Sequence, residues 1–369
     1  MKLMKTTEAV GQVLCHDITQ IIPGVKKDAV FRKGHIITKE DIPVLLSVGK
    51  DTIYIWENDE TMMHENEAAE VLYRMSVCGT NSNEADAEGH CEATQSGDLD
   101  DIVSKMHPSP VKEGKIEVIA DCDGLLKVDS EKLKKVNSFG EMMIATRHGN
   151  TTVKKGDKLA GTRIIPLVIK KDKLKEASNI CEDGPILDIK PFVVRKAAII
   201  TTGNEVYHGR IQDAFTPVIE KKIAEFGAQM MFHEVFDDDD KKITEGCLRA
   251  IEAGAEIVFC TGGMSVDPDD KTPLAIKNTG ARIVSYGSPV LPGAMFLLSY
   301  YDAGDRLVPI CGLPGCAMYN KRTIFDIVLP RLMARDMIYA DELAGLGEGG
   351  LCLNCDVCTF PNCGFGKGF

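Results

Sequence analysis

Strand and helix alternate through the second half of the 369-residue chain, and this pattern constrains the fold more than any other feature. Apolar runs at 197–201, 229–235 and 256–260 each precede a polar loop. Between the last two runs, apolar residues recur at helical spacing over 243–251. Such alternation predicts an α/β fold with a parallel sheet and helices on both faces. In these sheets ligands bind beyond the carboxyl ends of the strands.

Composition divides the rest of the chain. Residues 1–107 mix strands and helices, and an acidic stretch at about 79–101 without Lys or Arg reads as a flexible insertion. Short strands separated by glycine turns predict a β-rich domain or arm at 108–192. The α/β domain is then expected at 193–338, and a Gly- and Cys-rich tail follows at 339–369.

An excess of acidic residues limits the partners of the chain. Lys and Arg number 43 against 55 Asp and Glu, which gives a net charge of -12. Nucleic acids and anionic membranes both attract basic surfaces, so neither is expected as a partner. No apolar run approaches the roughly 18 residues that span a bilayer. The first residues lack the apolar segment of a signal peptide. The sequence therefore predicts a cytoplasmic protein.

Glycines and carboxylates follow the predicted strands. The loop 261–270 combines two adjacent glycines with aspartates, and 237–240 is a run of aspartates. A glycine loop can bring its N–H groups to a phosphate, and carboxylates beside it can hold a divalent cation. Both features also occur in plain turns and before helices, where acidic side chains oppose the helix dipole. No GxGxxG follows the first predicted strand of this half, and no GxxxxGK[ST] occurs, which removes the main support for NAD-binding and P-loop interpretations.

Five short motifs follow one another in this half of the chain: TTGNE at 201–205, DDDD at 237–240, TGGMSVDPDD at 261–270, and LPG at 291–293 and 313–315. In their order and spacing these motifs resemble the molybdopterin-binding domain of MoeA/gephyrin-type molybdenum insertases, Mog-type adenylyltransferases and CinA-like proteins. The resemblance covers about 193–338. Residues 8–18 also resemble the start of MoeA-type chains.

The resemblance implies that the domain binds molybdopterin or adenylylated molybdopterin as a small-molecule substrate, together with molybdate and Mg²⁺. Glu205, Asp238 and Asp270 take the catalytic positions, and Asp239 joins the two aspartates at the positions for Mg²⁺ and molybdate. The implied cofactor-binding residues are Thr202, Gly203, Asn204, Gly262, Gly263, Ser265, Asp269, Pro292, Gly293, Leu313, Pro314 and Gly315. Members of the family are often dimeric, so the resemblance also implies a homodimer.

Three functions agree with this resemblance. The first is a transferase that inserts molybdate into molybdopterin. Asp267 and Lys271 stand where insertases have Gly and an aromatic residue, and Cys316-Ala317 where they have Asn-Pro. The departures in the Asp loop and the Cys-rich tail favour the second, a non-catalytic chaperone that carries the cofactor to a molybdoenzyme. Asp-Asp-x-Thr at 269–272 resembles the CinA branch and supports the third, a nucleotide hydrolase.

Four of the 13 cysteines lie close together in the tail, whereas the others are scattered. Most of the scattered ones are expected to be small, buried free thiols, as is usual in a reducing compartment. Cys352, Cys355, Cys358 and Cys363 form C-x2-C-x2-C-x4-C in sequence that is too Gly-rich to bury them all. Four thiolates at such short gaps can surround one Zn²⁺ ion or one iron–sulfur cluster. The sequence therefore predicts a metal site in the tail.

Overall fold

The computed structural model describes residues 2–22, 26–55, 59–78, 105–265 and 270–368. The chain divides into two compact units. The first comprises Met1–Asp121, Val128–Arg147 and Lys155–Asp188, and the second comprises Cys122–Lys127, His148–Lys154 and Ile189–Phe369. The acidic stretch predicted as an insertion lies outside the described residues.

Strands and helices alternate through both units. The described strands are β1 (Lys2–Lys5), β2 (Ile18–Ile22), β3 (Lys26–Phe31), β4 (Thr52–Ile55), β5 (Met62–His64), β6 (Met106–Pro108), β7 (Lys115–Ala120), β8 (Gly124–Val128), β9 (Met142–Thr146), β10 (Thr151–Val153), β11 (Lys158–Ile164), β12 (Val168–Lys170), β13 (Leu187–Lys190), β14 (Lys196–Thr202), β15 (Gln229–Phe236), β16 (Ile257–Thr261), β17 (Arg282–Tyr286), β18 (Leu297–Asp302) and β19 (Leu307–Leu313). The described α-helices are α1 (Asp41–Ser47), α2 (Glu65–Val77), α3 (Ser130–Asn137), α4 (Lys171–Asn179), α5 (Asn204–Tyr207), α6 (Thr216–Ala224), α7 (Asp240–Glu252), α8 (Thr272–Asn278), α9 (Ile324–Met333) and α10 (Ala340–Gly345). None of these helices has both the length and the hydropathy that crossing a bilayer requires.

The first unit contains an antiparallel sheet in the order β6-β7-β11-β9, with α2 packed against β7 and β11. In β7, Ile116, Val118 and Ala120 are buried and their neighbours are less so, which is the two-residue period of a strand with one face on a core. The stretch predicted as β-rich also contains the helices α3 and α4.

Cysteine burial agrees with the prediction at most scattered positions. Cys15, Cys181, Cys247, Cys260 and Cys311 are buried free thiols, and Cys122 and Cys316 are half-buried. Cys78 is disulfide-bonded, so the prediction of a free thiol is wrong there. A disulfide depends on two cysteines meeting at a short Cα distance, which the spacing along the chain does not reveal.

The second unit contains a six-stranded sheet in the order β15-β14-β16-β19-β18-β17. The first four strands are parallel to one another, as predicted. β18 is antiparallel to both of its neighbours, so the prediction of a parallel sheet is wrong at this strand. Residues 303–306 are the whole connection from β18 to β19. A connection this short can form a hairpin but not the crossover that parallel strands need.

Helices cover both faces of this sheet, which confirms the predicted α/β layering. Ala197 and Ile199 of β14 pack in a core cluster with α6 and α9. Ala198 and Ile200 point the other way, into a cluster with α7 and α8. A strand with both faces buried reads as a continuous apolar run, and β14 has this pattern.

α9 begins at Ile324 because a capping box precedes it. Thr323 and Asp326 form a capping box: the N–H of Phe325 donates to Thr323 Oγ1 at 3.2 Å, and the N–H of Thr323 donates to Asp326 Oδ2 at 2.8 Å. These bonds satisfy N–H groups that have no partner within a helix, and so they fix where it starts.

The Cys-rich tail packs against the rest of the second unit. Phe365 is 5% exposed and belongs to the same core cluster as Phe325. The N–H of Leu291 donates to the carbonyl of Gly350, and the N–H of Cys352 donates to the carbonyl of Leu291, each at 2.8 Å. The tail is therefore part of this packed unit.

Candidate functional site

The carboxyl ends of four parallel strands lie in one row. Thr201 of β14 pairs with Thr261 of β16, which pairs with Leu313 of β19. Thr202 pairs with Phe236 at the end of β15. The loops that follow these strands, which carry TTGNE, DDDD, TGGMSVDPDD and the second LPG, therefore leave the sheet at the same edge.

Two threonine hydroxyls join the first and third of these loops. Thr202 Oγ1 lies 3.1 Å from the carbonyl oxygen of Thr261 and 3.1 Å from Thr272 Oγ1. Thr272 Oγ1 donates to the carbonyl of Gly262 at 2.9 Å. All three threonines are buried. The site prediction does not include Thr272, although it noted the Asp-Asp-x-Thr motif that contains it.

Gly262 and Gly263 are required by the packing of this loop. Both have positive φ, 82° and 54°. A Cβ on Gly262 would lie 2.1 Å from the carbonyl oxygen of Thr202, and one on Gly263 would lie 2.8 Å from Thr272 Oγ1. Real side chains do not tolerate such distances, so any larger residue would displace the loop.

The TTGNE loop contacts the acidic turn after β15. The N–H of Asn204 donates to Asp238 Oδ2 at 3.1 Å, and the Glu205 side chain is exposed beside Gly203. Asp239 caps α7, because its Oδ1 accepts the N–H groups of Lys241 and Lys242 at 3.0 and 3.2 Å. The structure thus brings Asp238 to the TTGNE loop and uses Asp239 at a helix start.

The other residues of the third loop lie at its two described ends. Ser265 is exposed, Asp270 is half-buried, and Asp269 lies outside the described residues. Tyr286 on β17 connects to this loop, because its hydroxyl donates to the carbonyl of Met264 at 3.2 Å. Burial and, secondarily, the charge of Asp270 raise the pKa of Tyr286. Asp270 therefore lies near this tyrosine.

The two Pro-Gly turns differ in what surrounds the glycine. A Cβ on Gly293 would lie 2.4 Å from Ile324 Cγ2, so this glycine is needed where the first turn packs on α9. A Cβ on Gly315 would meet nothing within 4 Å. Leu313 and Pro314, which precede Gly315, are buried. Of the two turns, only the second presents a glycine to open space.

A half-buried polar cluster that involves Thr201 of β14 also escapes the sequence analysis. Asp213 Oδ2 accepts the hydroxyls of Thr201 and Thr216 at 2.9 and 2.6 Å, and His233 Nε2 lies 3.1 Å from Thr201 Oγ1. Burial raises the pKa of Asp213, but the hydrogen bonds that it accepts, first from Thr216, outweigh burial and leave that pKa below its ordinary value. An Asp shortly before a Thr-Pro helix start is the sequence signal that could have indicated it.

The predicted carboxylates do not form a ready metal site. Among the residues that the structure describes, no three His, Cys, Asp or Glu side chains are arranged to hold one ion. The geometry brings together Thr202, Gly262 and Gly263 in one group, and Gly203, Asn204 and Asp238 in another. It leaves Glu205 exposed at the edge.

Comparison with known protein families identifies the domain that carries this edge. Residues 198–334 match the family model described as "Probable molybdopterin binding domain". The chain contains a domain of the molybdopterin-binding family. Residues 3–57 match a domain of unknown function, DUF8806.

Curated relatives of the molybdopterin-binding domain have two kinds of name. A competence-damage inducible protein of Bacillus subtilis is 30% identical over 88 residues, which are 24% of this chain and 21% of that protein. A molybdopterin molybdenumtransferase of Staphylococcus epidermidis is 26% identical over 159 residues, which are 41% of this chain and 38% of that protein. The chain therefore spans about a fifth to two fifths of the length of these relatives.

Solved structures with a similar domain include the tungsten cofactor synthesizing protein MoaB from Pyrococcus furiosus. It is 18% identical with a TM-score of 0.30, and the match covers 38% of this chain and 89% of that one. The Mog protein of molybdopterin biosynthesis from Mycobacterium ulcerans is also 18% identical, with a TM-score of 0.30, over 41% of this chain and 99% of that one.

Proposed function

We propose that the chain acts in molybdenum-cofactor biosynthesis and inserts molybdate into molybdopterin or adenylylated molybdopterin at the carboxyl edge of the six-stranded sheet. The observation that carries the proposal is the shared edge. The strand register aligns β14, β15, β16 and β19 so that the loops that follow them leave the sheet at the same edge. These are the loops whose motifs resemble the family, and the family match covers the same strands. Ligands of α/β sheets bind at such an edge.

Residues of the edge divide into two proposed roles. Gly315, which faces open space, lies where a pterin or its phosphate can approach the backbone closely. Thr202, Gly262 and Gly263 give the third loop its shape. Substitution of any of them would disturb contacts within the protein itself. Ser265, Asn204 and Gly203 border the same edge.

The carboxylates have the donor chemistry of an Mg²⁺ site. Glu205, Asp238 and Asp270 offer hard oxygen ligands, which Mg²⁺ prefers, and Glu205 is exposed enough to reorient. Asp239 is occupied as the α7 cap. We therefore assign Mg²⁺ to Glu205, Asp238 and Asp270, where the ion would neutralise the negative charge of molybdate and of the pterin phosphate. The protein side chains hold and orient the substrates.

Substitution of Asp270 by Asn tests this assignment. The amide cannot supply the charge that a cation needs, so molybdate-dependent release of AMP from adenylylated molybdopterin should fall at least ~10-fold. Pterin affinity, measured by fluorescence titration, should stay within about twofold, because the glycine contacts remain. Asp305→Asn is the control, since Asp305 is exposed and pairs only locally with Arg306. Unchanged AMP release in Asp270→Asn would remove Asp270 from the site.

The CinA-like hydrolase is the second candidate because several curated relatives are competence-damage inducible proteins. Mg²⁺-dependent hydrolysis of nucleotides without molybdate-dependent AMP release would favour it. Tight pterin binding without any turnover would favour the chaperone that delivers the cofactor to a molybdoenzyme. The homodimer and the cytoplasmic location are further parts of the proposal, and sedimentation of the purified chain and its distribution on cell fractionation test them.

A further inference from the structure

The four tail cysteines line one cavity of about 240 Å³ in the second unit. All four are free thiols. Cys352 and Cys363 are half-buried and pack against the core cluster that contains Phe325 and Phe365. Cys355 and Cys358 are exposed on the loop between them. The cavity therefore has two thiols on its fixed inner side and two on its outer rim.

Packing does not explain the two outer thiols, Cys355 and Cys358. The tail is held by the backbone bonds of Leu291, by the N–H of Gly366 donating to the carbonyl of Gly349, and by the burial of Phe365. None of these contacts uses a cysteine side chain. A structural cysteine usually behaves as a small buried hydrophobe, and exposed Cys355 and Cys358 do not.

Two cations, Lys321 and Arg322, line the cavity together with the outer thiols. The Arg322 guanidinium lies 5.0 Å from the centre of the Phe360 ring. Lys321 Nζ donates to the carbonyl of Asp356 at 3.2 Å. Cations of this kind stabilise thiolates, including thiolates bound to a metal.

We propose that this cavity is a tetrathiolate metal site, in which Cys352, Cys355, Cys358 and Cys363 together hold a Zn²⁺ ion or an iron–sulfur cluster. The volume exceeds by far the roughly 30 Å³ of one water molecule, so it accommodates either. No three of the described side chains already lie close enough to share an ion. Binding therefore requires the exposed loop that carries Cys355 and Cys358 to close on the inner pair, and each thiol loses its proton as its metal–sulfur bond forms.

Metal analysis of the full-length protein, purified without oxygen, tests the site. The expected result is about one Zn²⁺ per chain, or iron with a comparable amount of acid-labile sulfide and a visible absorption that bleaches on reduction. Bound zinc would identify the Zn²⁺ form of the thiolate site, and iron with sulfide would identify the cluster form of the same site. If the protein is isolated without metal and then takes up neither Zn²⁺ nor iron with sulfide, the proposal fails.

Single serine variants of the exposed cysteines provide the decisive comparison. Cys355→Ser and Cys358→Ser should each lose most of the bound metal, while far-UV circular dichroism stays the same because neither side chain is packed. Cys316→Ser is the matched control, since Cys316 is a half-buried free thiol that does not line the cavity, and it should keep its metal. Full metal content in both serine variants, or disulfides among the four tail cysteines of the anaerobic protein, would contradict the proposal. The readout is independent of pterin binding, so failure here leaves the proposed function untouched.

Discussion

Single residues at the strand-end edge serve packing and ligand approach to different degrees. Gly262 lies so close to the carbonyl of Thr202 that its lack of a side chain is explained by the protein alone. Gly293 has a positive φ of 129° and is similarly explained by Ile324. Gly315 has neither constraint. A glycine that the fold does not need is the better candidate for contact with a ligand.

Alanine substitutions at Gly315 and Gly293 separate the role in ligand approach from the role in packing. Gly315→Ala should leave the free energy of unfolding within about 0.5 kcal/mol of the wild type and lower pterin affinity ~10-fold or more, because the new methyl group occupies space that the ligand needs. Gly293→Ala should lower the free energy of unfolding by about 1–3 kcal/mol, through the clash with Ile324 and the left-handed backbone. Urea unfolding and pterin titration of both variants measure these effects. Normal affinity in Gly315→Ala would remove this glycine from the pterin site.

At the scale of elements, an ion cluster joins α9 to the sheet formed by β8, β10 and β13. Asp336, just beyond α9, is 5% exposed. It accepts hydrogen bonds from Lys127 of β8 at 2.8 Å, from Lys190 of β13 at 2.6 Å and from Arg331 of α9 at 2.6 Å. Burial raises the pKa of Asp336, but these cations outweigh burial and lower it to about 2.

The depressed pKa of Asp336 predicts the pH range in which this cluster stabilises the fold. A carboxyl with a pKa of about 2 in the folded state and about 3.9 in the unfolded state adds about 2–3 kcal/mol above pH 4, and this is lost as pH falls towards 2. Asp336→Asn leaves three cations facing a neutral amide, so it should destabilise the protein by about 3–5 kcal/mol at pH 7.

Urea unfolding of the wild type and Asp336→Asn between pH 7 and pH 2 measures this contribution. The gap between the two should stay constant down to about pH 4 and then narrow, because the wild-type carboxylate becomes protonated. Asp305→Asn, on the surface, should change the free energy of unfolding by less than about 0.5 kcal/mol. A gap that is unchanged at pH 2 would show that the charge of Asp336 contributes nothing.

Element boundaries were largely predictable, whereas the direction of β18 was missed. β14 and β16 begin and end within one residue of the apolar runs, since a doubly buried strand must be apolar throughout. The edge strand β15 also agrees within one residue. The reversed β18 was missed, although the short connection 303–306 carries the information. The start of α9 was also predictable, from the Thr323-x-x-Asp326 spacing of a capping box. Contacts between distant loops, such as Thr202 with Thr272, depend on the assembled sheet and have no local signal.

At the scale of the whole molecule, the tail is the part whose place the sequence describes least well. Its composition is rich in Gly and Cys, which favours a loose segment. Its glycines instead allow close packing: a Cβ on Gly366 would lie 2.7 Å from Ile327, and one on Gly368 would lie 2.0 Å from the carbonyl oxygen of Gly345. Phe365 then anchors the tail in the core of the second unit, as does Leu343.

Loss of this anchor should destabilise the second unit far more than its place near the chain end would indicate. Phe365→Ala removes a buried ring from the cluster around Phe325, which should lower the free energy of unfolding by about 3–5 kcal/mol. Amide exchange in α9 should accelerate accordingly. Val357→Ala lies in the same tail but is 77% exposed, and should change the free energy of unfolding by less than about 0.5 kcal/mol. Urea unfolding and hydrogen-exchange mass spectrometry of both variants provide the measurement. Equal stability of the two would mean that the tail leaves the core in solution, because a ring that is not buried costs little to remove.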